Sequence, residues 1–349
     1  MRTGFVDFLK DQYGRLPPIG KHDLSGKVVV VTGANSGLGL ETARHLSQFK
    51  PKKLILACRD SGRALDAKES IFNTCNLSAD DIPVWHLDLT KYETVKKFVQ
   101  RLEEEAGRID YLFCCAGVST EQLSLTPDGN ESSLQVNVLA NALLIMLLLP
   151  MLEKSATPQT PSRIVVVGSL AHEIIADLPD SLAAEQSTEE KTARQFLVQL
   201  NDESKLAAAA KSKSASTKAL SMAMRYNLTK LFDLMLVRQI GPRLPQSVVM
   251  SCVDPGMCAT PLVKGWQYVI LAFLVARPAW KGALTIVYPA LSVAPEKARG
   301  EYFATCRLQT RVSYLVDSEK GRLLEEQVSK AIIAHLRTID TRVPDIFAE

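Results

Sequence analysis

Residues 28–39 read VVVVTGANSGLG, and any fold of this chain must accommodate them. Four consecutive valines, β-branched and apolar without alternation, suit a strand buried on both faces at the centre of a parallel sheet. The apolar run ends at Thr32, and Gly33, Gly37 and Gly39 follow. Leu40, Ala43 and Leu46 then recur at helical spacing, with Glu41 and Arg44 facing outward. A strand that turns through glycines into a helix converges free backbone N–H groups and the positive helix end on one point. A pyrophosphate can sit there without a cationic side chain. Gly33 permits the tight turn, Gly37 lets the backbone approach the phosphates, and Gly39 lets helix and strand pack closely, with Asn35, Ser36 and Leu38 between them.

Strand-like and helix-like segments alternate after this element, as parallel βαβ units do. Strands are expected over 54–58, 83–87, 111–115, 163–167, 247–252 and 302–305, and helices over 63–72, 92–106, 134–152, about 219–239 and 278–291. The expected fold is α/β, a Rossmann-type doubly wound parallel sheet with helices on both faces. The 349 residues admit two domains by size, but no linker divides them, so 26–349 reads as one domain. Residues 1–25 read as an N-terminal arm with a short amphipathic piece at 5–9 and a Pro17-Pro18 break. The stretch 176–218, rich in Ser, Ala, Gln, Glu and Lys, reads as a solvent-exposed insertion, and about 257–349 as a substrate-lid and C-terminal section.

Composition narrows the function classes. A chain 46% hydrophobic and 23% charged is an ordinary globular protein. Its net charge of +3, with basic residues scattered apart from Lys50, Lys52 and Lys53, gives no footprint for nucleic acid. The seven cysteines (58, 75, 114, 115, 252, 258 and 306) are odd in number and lack C-x-x-C spacing, so neither a disulfide framework nor a metal site is indicated. The first twenty residues hold no apolar core of signal-peptide length, and a cytoplasmic location is expected. Residues 138–152 are apolar but contain Asn141 and Pro150, which favours a buried core helix or a subunit interface over a membrane span. Residues 266–276 are apolar too, and read as a substrate lid, a dimer face or a peripheral contact with the endoplasmic reticulum membrane.

The chemistry-bearing residues lie in the second half. Tyr226 and Lys230 stand four apart in RYNLTKLF, on one face of an expected helix. A phenol titrates near 10, and an adjacent ammonium stabilises its anion and draws that value toward the working range. Alone, the pair reads equally as a surface contact. Ser169 follows the strand 163–167, at the carboxyl edge where ligands collect in open α/β sheets. Its hydroxyl is a donor to a substrate carbonyl or a turn cap. Asn137 lies in an apolar helix, where a buried amide needs partners; it caps a kink or holds a water.

Together these residues resemble the short-chain dehydrogenase/reductase family. The T-G-x-x-x-G-x-G spacing of Thr32 to Gly39 is that of its cofactor fingerprint. The resemblance places Asp88 and Leu89 at the adenine, Ala116 and Gly117 at the end of the fourth strand, and Pro255, Gly256 and Thr260 near the nicotinamide. Asn137, Ser169, Tyr226 and Lys230 occupy the catalytic positions, and Tyr226 and Lys230 also meet the cofactor. The ACRD wording and the RPAWKGALTIVYPAL section are most similar to the retinol-dehydrogenase-like branch and its fungal relatives. Two departures stand out. Cys115 replaces an asparagine that braces the central strand, and the interval from Ser169 to Tyr226 is unusually long.

The resemblance implies hydride transfer between a nicotinamide and a carbonyl or alcohol, with Tyr226 as general acid or base. Lys230 would lower its pKa and hold the ribose, Ser169 would orient the carbonyl, and Asn137 would keep a relay water. Cofactor choice is read where the second strand ends, at Cys58-Arg59-Asp60: Arg59 favours the 2′-phosphate of NADP, while Asp60, one position late for the ribose of NAD, suits a helix cap. The expected substrate is a hydrophobic small molecule, lipid-like, aromatic or terpenoid, with a place in secondary metabolism. The family's habit implies a homodimer or homotetramer, with 138–152 as its interface. The alternative is a sensor or scaffold that binds NADP without turnover.

Overall fold

The structure, a computed structural model, describes residues 5–175, 222–260, 275–310 and 312–348. At its centre lies β1 (Val28–Thr32), buried along its whole length. It pairs in parallel with β2 (Lys53–Cys58) on one side and β4 (Tyr111–Cys114) on the other. β3 (Val84–His86) continues outward from β2; β5 (Ser162–Val167), β6 (Val248–Asp254) and β9 (Tyr302–Ala304) continue outward from β4, all parallel. β10 (Arg307–Leu308) closes the edge as an antiparallel hairpin with β9. The order β10-β9-β6-β5-β4-β1-β2-β3 reverses its direction of travel between β1 and β4. Loops leaving those two strands diverge, and a crevice opens at their carboxyl ends.

The valine run is uniformly apolar because both faces of β1 are covered. Val28 and Val30 join one apolar cluster, Val29 and Val31 the other. The first cluster is closed by α4 (Tyr92–Glu105), α5 (Ser132–Ser155), α6 (Met222–Ile240) and α8 (Glu319–Ile339). The second is closed by α2 (Gly37–Ser47), α3 (Ser61–Phe72) and α7 (Ala279–Leu291). The doubly wound α/β sheet therefore stands as expected, with element bounds moved by a residue or two.

Three regions depart from expectation. First, α5 is core: 94% of the residues in its most apolar 18-residue window are buried, and Leu143, Leu144 and Leu148 are wholly enclosed. The leucines meet their own chain, and within 138–152 only Pro150 is exposed and Met151 half-buried. Second, the N-terminal arm is docked. α1 (Phe5–Tyr13) runs past the expected 5–9, and Gln12 is buried against a two-stranded ribbon of β7 (Cys258–Ala259) and β8 (Arg277–Pro278). The Gln12 amide donates to the carbonyls of Met257 and Val275 (2.9 Å for the latter) and accepts from Met257 N at 3.3 Å, clasping both strands of the ribbon. Third, α8 was not foreseen. Ser318 caps it by accepting from Gly321 N at 2.9 Å, and Val328, Ile332 and Leu336 face the first cluster. Glu325 binds Arg238 of α6 at 2.6 Å, and Ile339 O accepts from Lys96 of α4 at 2.7 Å. The expected insertion at 176–218 and nearly all of the apolar stretch 266–276 lie outside the described residues.

Candidate active site

The first part of the site is the turn from β1 into α2. Gly33 and Gly37 both take positive φ, +65° and +54°, which side-chain-bearing residues rarely adopt. Gly39 serves a different need. A Cβ there would lie 2.3 Å from Gly33 O, so its missing side chain is what lets the helix seat against the strand. Ser36, at the N-cap of α2, makes no side-chain cap, which leaves the first-turn amides of Leu38 and its neighbours to an anion. Asn35, Ser36, Gly37 and Leu38 are all partly exposed along this turn. The turn fits a pyrophosphate: it offers backbone donors and no carboxylate among its residues.

At the end of β2, Arg59 and Asp60 part company. Asp60 is the N-cap of α3, with Oδ1 accepting from Arg63 N at 3.1 Å, so it is spent on the helix. Arg59 is exposed beyond the strand end. After β3, Asp88 accepts from Thr90 N and Oγ1 at 3.1 and 2.8 Å, closing its own turn. Leu89 is buried in the core, so an adenine there would meet its backbone and not its side chain.

The loop after β4 is where Asn137 acts. One turn of α5, Gln135–Leu139, has π geometry, which frees carbonyls from the usual ladder. Asn141 fills that gap, donating to Val136 O at 3.1 Å and Asn137 O at 3.0 Å. The kink is thus capped by Asn141 and not by Asn137. Asn137 instead accepts from Val118 N at 2.7 Å and donates to Val118 O at 3.0 Å and Thr229 Oγ1 at 2.9 Å. Both amide hydrogens are committed to protein, so its side chain braces the loop of Ala116 and Gly117 against α6. Cys115, in place of the bracing asparagine, sets Sγ 3.9 Å from Thr42 Oγ1, while Thr32 Oγ1 accepts from Ala116 N at 3.0 Å and ties the loop to β1.

Ser169, Tyr226 and Lys230 converge at the carboxyl end of β5. Ser169 caps the short 3-10 turn Leu170–Ile174, its oxygen accepting from Ala171 N at 3.2 Å. That leaves its own O–H to donate, and it acts on the Tyr226 phenol. Both readings of Ser169 are therefore compatible. Lys230 Nζ lies 6.0 Å from the centroid of the Tyr226 ring and donates to Val167 O at 2.8 Å. It also donates to Asp233 Oδ2 at 2.8 Å, a partner the sequence reading missed. Lys230 draws the phenol down, as expected, but the net shift is upward. Burial raises the Tyr226 pKa and outweighs the lowering by Lys230 and Ser169, while Asp233 and Asp254 raise it further.

The last part follows β6. Gly256 takes φ +74°, and its N–H donates to Asp254 Oδ1 at 3.0 Å, which shapes the Pro255-Gly256 turn. Burial raises the Asp254 pKa, opposed by the Gly256 amide and the Arg277 and His172 charges. Thr260 stands just past β7, at the edge of the described residues. The turns that close this crevice all lie at strand carboxyl ends: 33–39 after β1, Arg59 after β2, 116–117 after β4, Ser169 after β5 and 255–256 after β6.

Comparison with known proteins agrees with this geometry. Residues 27–176 match the short chain dehydrogenase family profile. A short chain dehydrogenase/reductase of a Cryptosporiopsis species, dmxR8, is 29% identical over 98% of this chain and 100% of its own. The short-chain dehydrogenase fogG of Aspergillus ruber is 31% identical over 93% of this chain and 90% of its own. The WW domain-containing oxidoreductase of Gallus gallus is 33% identical over 81% of this chain and 63% of its own. Among solved structures, salutaridine reductase from Papaver somniferum shares the fold at 19% identity, with a TM-score of 0.58, covering 79% of this chain and 99% of its own. The chain belongs to the short-chain dehydrogenase/reductase family, and is an oxidoreductase that acts on CH–OH groups with a nicotinamide cofactor.

Proposed function

We propose that the protein is an NADP-dependent reductase or dehydrogenase of a hydrophobic carbonyl or alcohol, working through Tyr226, Lys230 and Ser169. The observation that carries this reading is their convergence at the carboxyl end of β5, with Lys230 Nζ held 2.8 Å from Val167 O. The amides of the turn 33–39 would hold the pyrophosphate, Arg59 the 2′-phosphate, and Lys230 with the Pro255-Gly256 turn the nicotinamide half. When bound, the nicotinamide supplies a hydride to a carbonyl carbon or takes one from a carbinol carbon.

The chain's own residues manage the proton. In reduction, Ser169 O–H donates to the carbonyl oxygen and fixes its direction, and Tyr226 delivers a proton from its phenol to that oxygen. The phenolate left behind is stabilised by the Lys230 ammonium until solvent reprotonates it. Oxidation reverses these steps. Asn137 keeps the 116–118 loop and α6 in register by its bonds to Val118 and Thr229. The apolar residues of 266–275, WQYVILAFLV, support a hydrophobic substrate, and the fungal relatives support a role in secondary metabolism.

Phenanthrenequinone, an aromatic dicarbonyl, serves as test acceptor with NADPH. Tyr226→Phe should bind NADPH as the native protein does, by nicotinamide fluorescence, and lose about 10²–10⁴-fold in turnover. Near-native turnover would refute the assignment.

A further inference from the structure

Lys230 is gripped from two sides. Val167 O and Asp233 Oδ2 each lie 2.8 Å from Nζ, and Asp233 sits three residues further along α6. The side chains are 7% exposed for the lysine and 3% for the aspartate, so this is a buried ion pair and not a solvated helix contact. A buried ion pair carries a heavy desolvation cost, which apolar side chains at both positions would avoid. An ammonium has three donors, and with two committed one remains for the side on which Tyr226 and Gly117 lie.

Resting on the function proposed above, we propose that Asp233 is a positioning residue of the reaction: its carboxylate holds the Lys230 ammonium charged and fixed in direction beside the Tyr226 phenol.

The groups around the pair are few. Tyr226 faces it from α6, Cys114 and Cys115 from the end of β4, and Cys252 and Asp254 from β6. The cysteines are held neutral, since burial pushes Cys115 up to about 12 and Cys114 and Cys252 upward as well. Burial by itself drives a lysine down toward neutrality; Asp233 and Tyr226 outweigh it and leave Lys230 raised. Burial pushes Asp233 upward, and the Lys230 ammonium opposes that shift by its charge and by its hydrogen bond to the carboxylate. The same negative charge also raises Tyr226. Removing it lowers both pKa values, whatever the coupling between them, because a lost negative charge favours proton release from every neighbour.

Asp233→Asn keeps the shape and the hydrogen bond while removing the charge. The bell-shaped pH profile of kcat/KM with NADPH and phenanthrenequinone should move as a whole to lower pH, by about one unit or more. A merely structural role would change melting temperature or the height of the bell and leave its position alone. A coincident bell overturns the inference. If the Asn variant does not fold, Asp233→Glu keeps the charge one methylene away: a bell in its native position but lower supports the inference, and one displaced by a unit overturns it. Tyr226→Phe, run alongside, tests the parent reading separately. If native protein binds NADPH without turning over the quinone, that reading fails. The pH dependence of NADPH fluorescence then decides for Asp233: its basic limb shifts down in the Asn variant if the inference holds, and coincides with native if it does not.

Discussion

Gly39→Ala tests whether the turn after β1 is the phosphate site, and its effect can be worked from the backbone. The new Cβ would lie 2.3 Å from Gly33 O, 2.7 Å from Gly33 C and 3.1 Å from Ala34 N. All three are backbone atoms, so no rotamer change can relieve the clash. Ordinary contact requires a retreat of about 1 Å. Helix α2 cannot supply it, because Ala43 and Leu46 are fully buried. The turn itself must move, and its amides are the groups aimed at the phosphates. Overpacking of this kind costs roughly 1–3 kcal/mol of stability. Losing two hydrogen bonds to a charged phosphate adds roughly 3–6 kcal/mol to binding, a fall of about 10²–10⁴-fold in affinity. NADPH and NADH titrations by nicotinamide fluorescence measure this, with urea unfolding run in parallel. Gly107→Ala is the control. Unlike Gly39, Gly107 has a positive φ, +64°, but nothing lies within 4 Å of its added Cβ, and it precedes β4 at the opposite edge of the sheet. It should lose stability and keep cofactor affinity. Native affinity in Gly39→Ala would refute the reasoning.

Two further substitutions test other parts of the site. Arg59→Ala should weaken NADPH by about 10-fold or more through loss of a charged hydrogen bond to the 2′-phosphate, with NADH unchanged; equal effects on the two cofactors would remove the NADP assignment. Asn137→Ala strands Val118 N and Val118 O and removes one donor to Thr229 Oγ1, which keeps its own bond to Tyr226 O at 2.7 Å; it should cost about 2 kcal/mol in urea unfolding along with a fall in turnover, and a loss under about 0.5 kcal/mol would show that the brace carries little.

What could be read from the sequence follows from the range of the interactions. β1 was legible because burial on both faces demands an uninterrupted apolar run; the four-residue interval put Tyr226 and Lys230 on one helix face, and the surrounding motifs, through the resemblance they carry, made that pair a site. α8 escaped although Val328, Ile332 and Leu336 recur at helical spacing, because charged residues crowd between them and no strand follows to complete a βαβ unit. The Gln12 clasp spans 245 residues to Met257, and no local pattern announces it. Asp233 is the sharpest case. Three residues beyond a lysine, a carboxylate reads as an ordinary surface pair worth a few tenths of a kcal/mol. Only the folded chain, which sets Cys114 of β4 and Cys252 of β6 beside it, buries it, and burial reverses its meaning. Exposed, it would be screened and dispensable; enclosed, it governs the charge on Lys230 and, through that charge, the phenol. Lys230 lowers the Tyr226 phenol as expected, but burial outweighs it. Spacing supplies the neighbour and the sign of its effect, but the size of that effect, and the desolvation that opposes it, depend on how much solvent the fold removes.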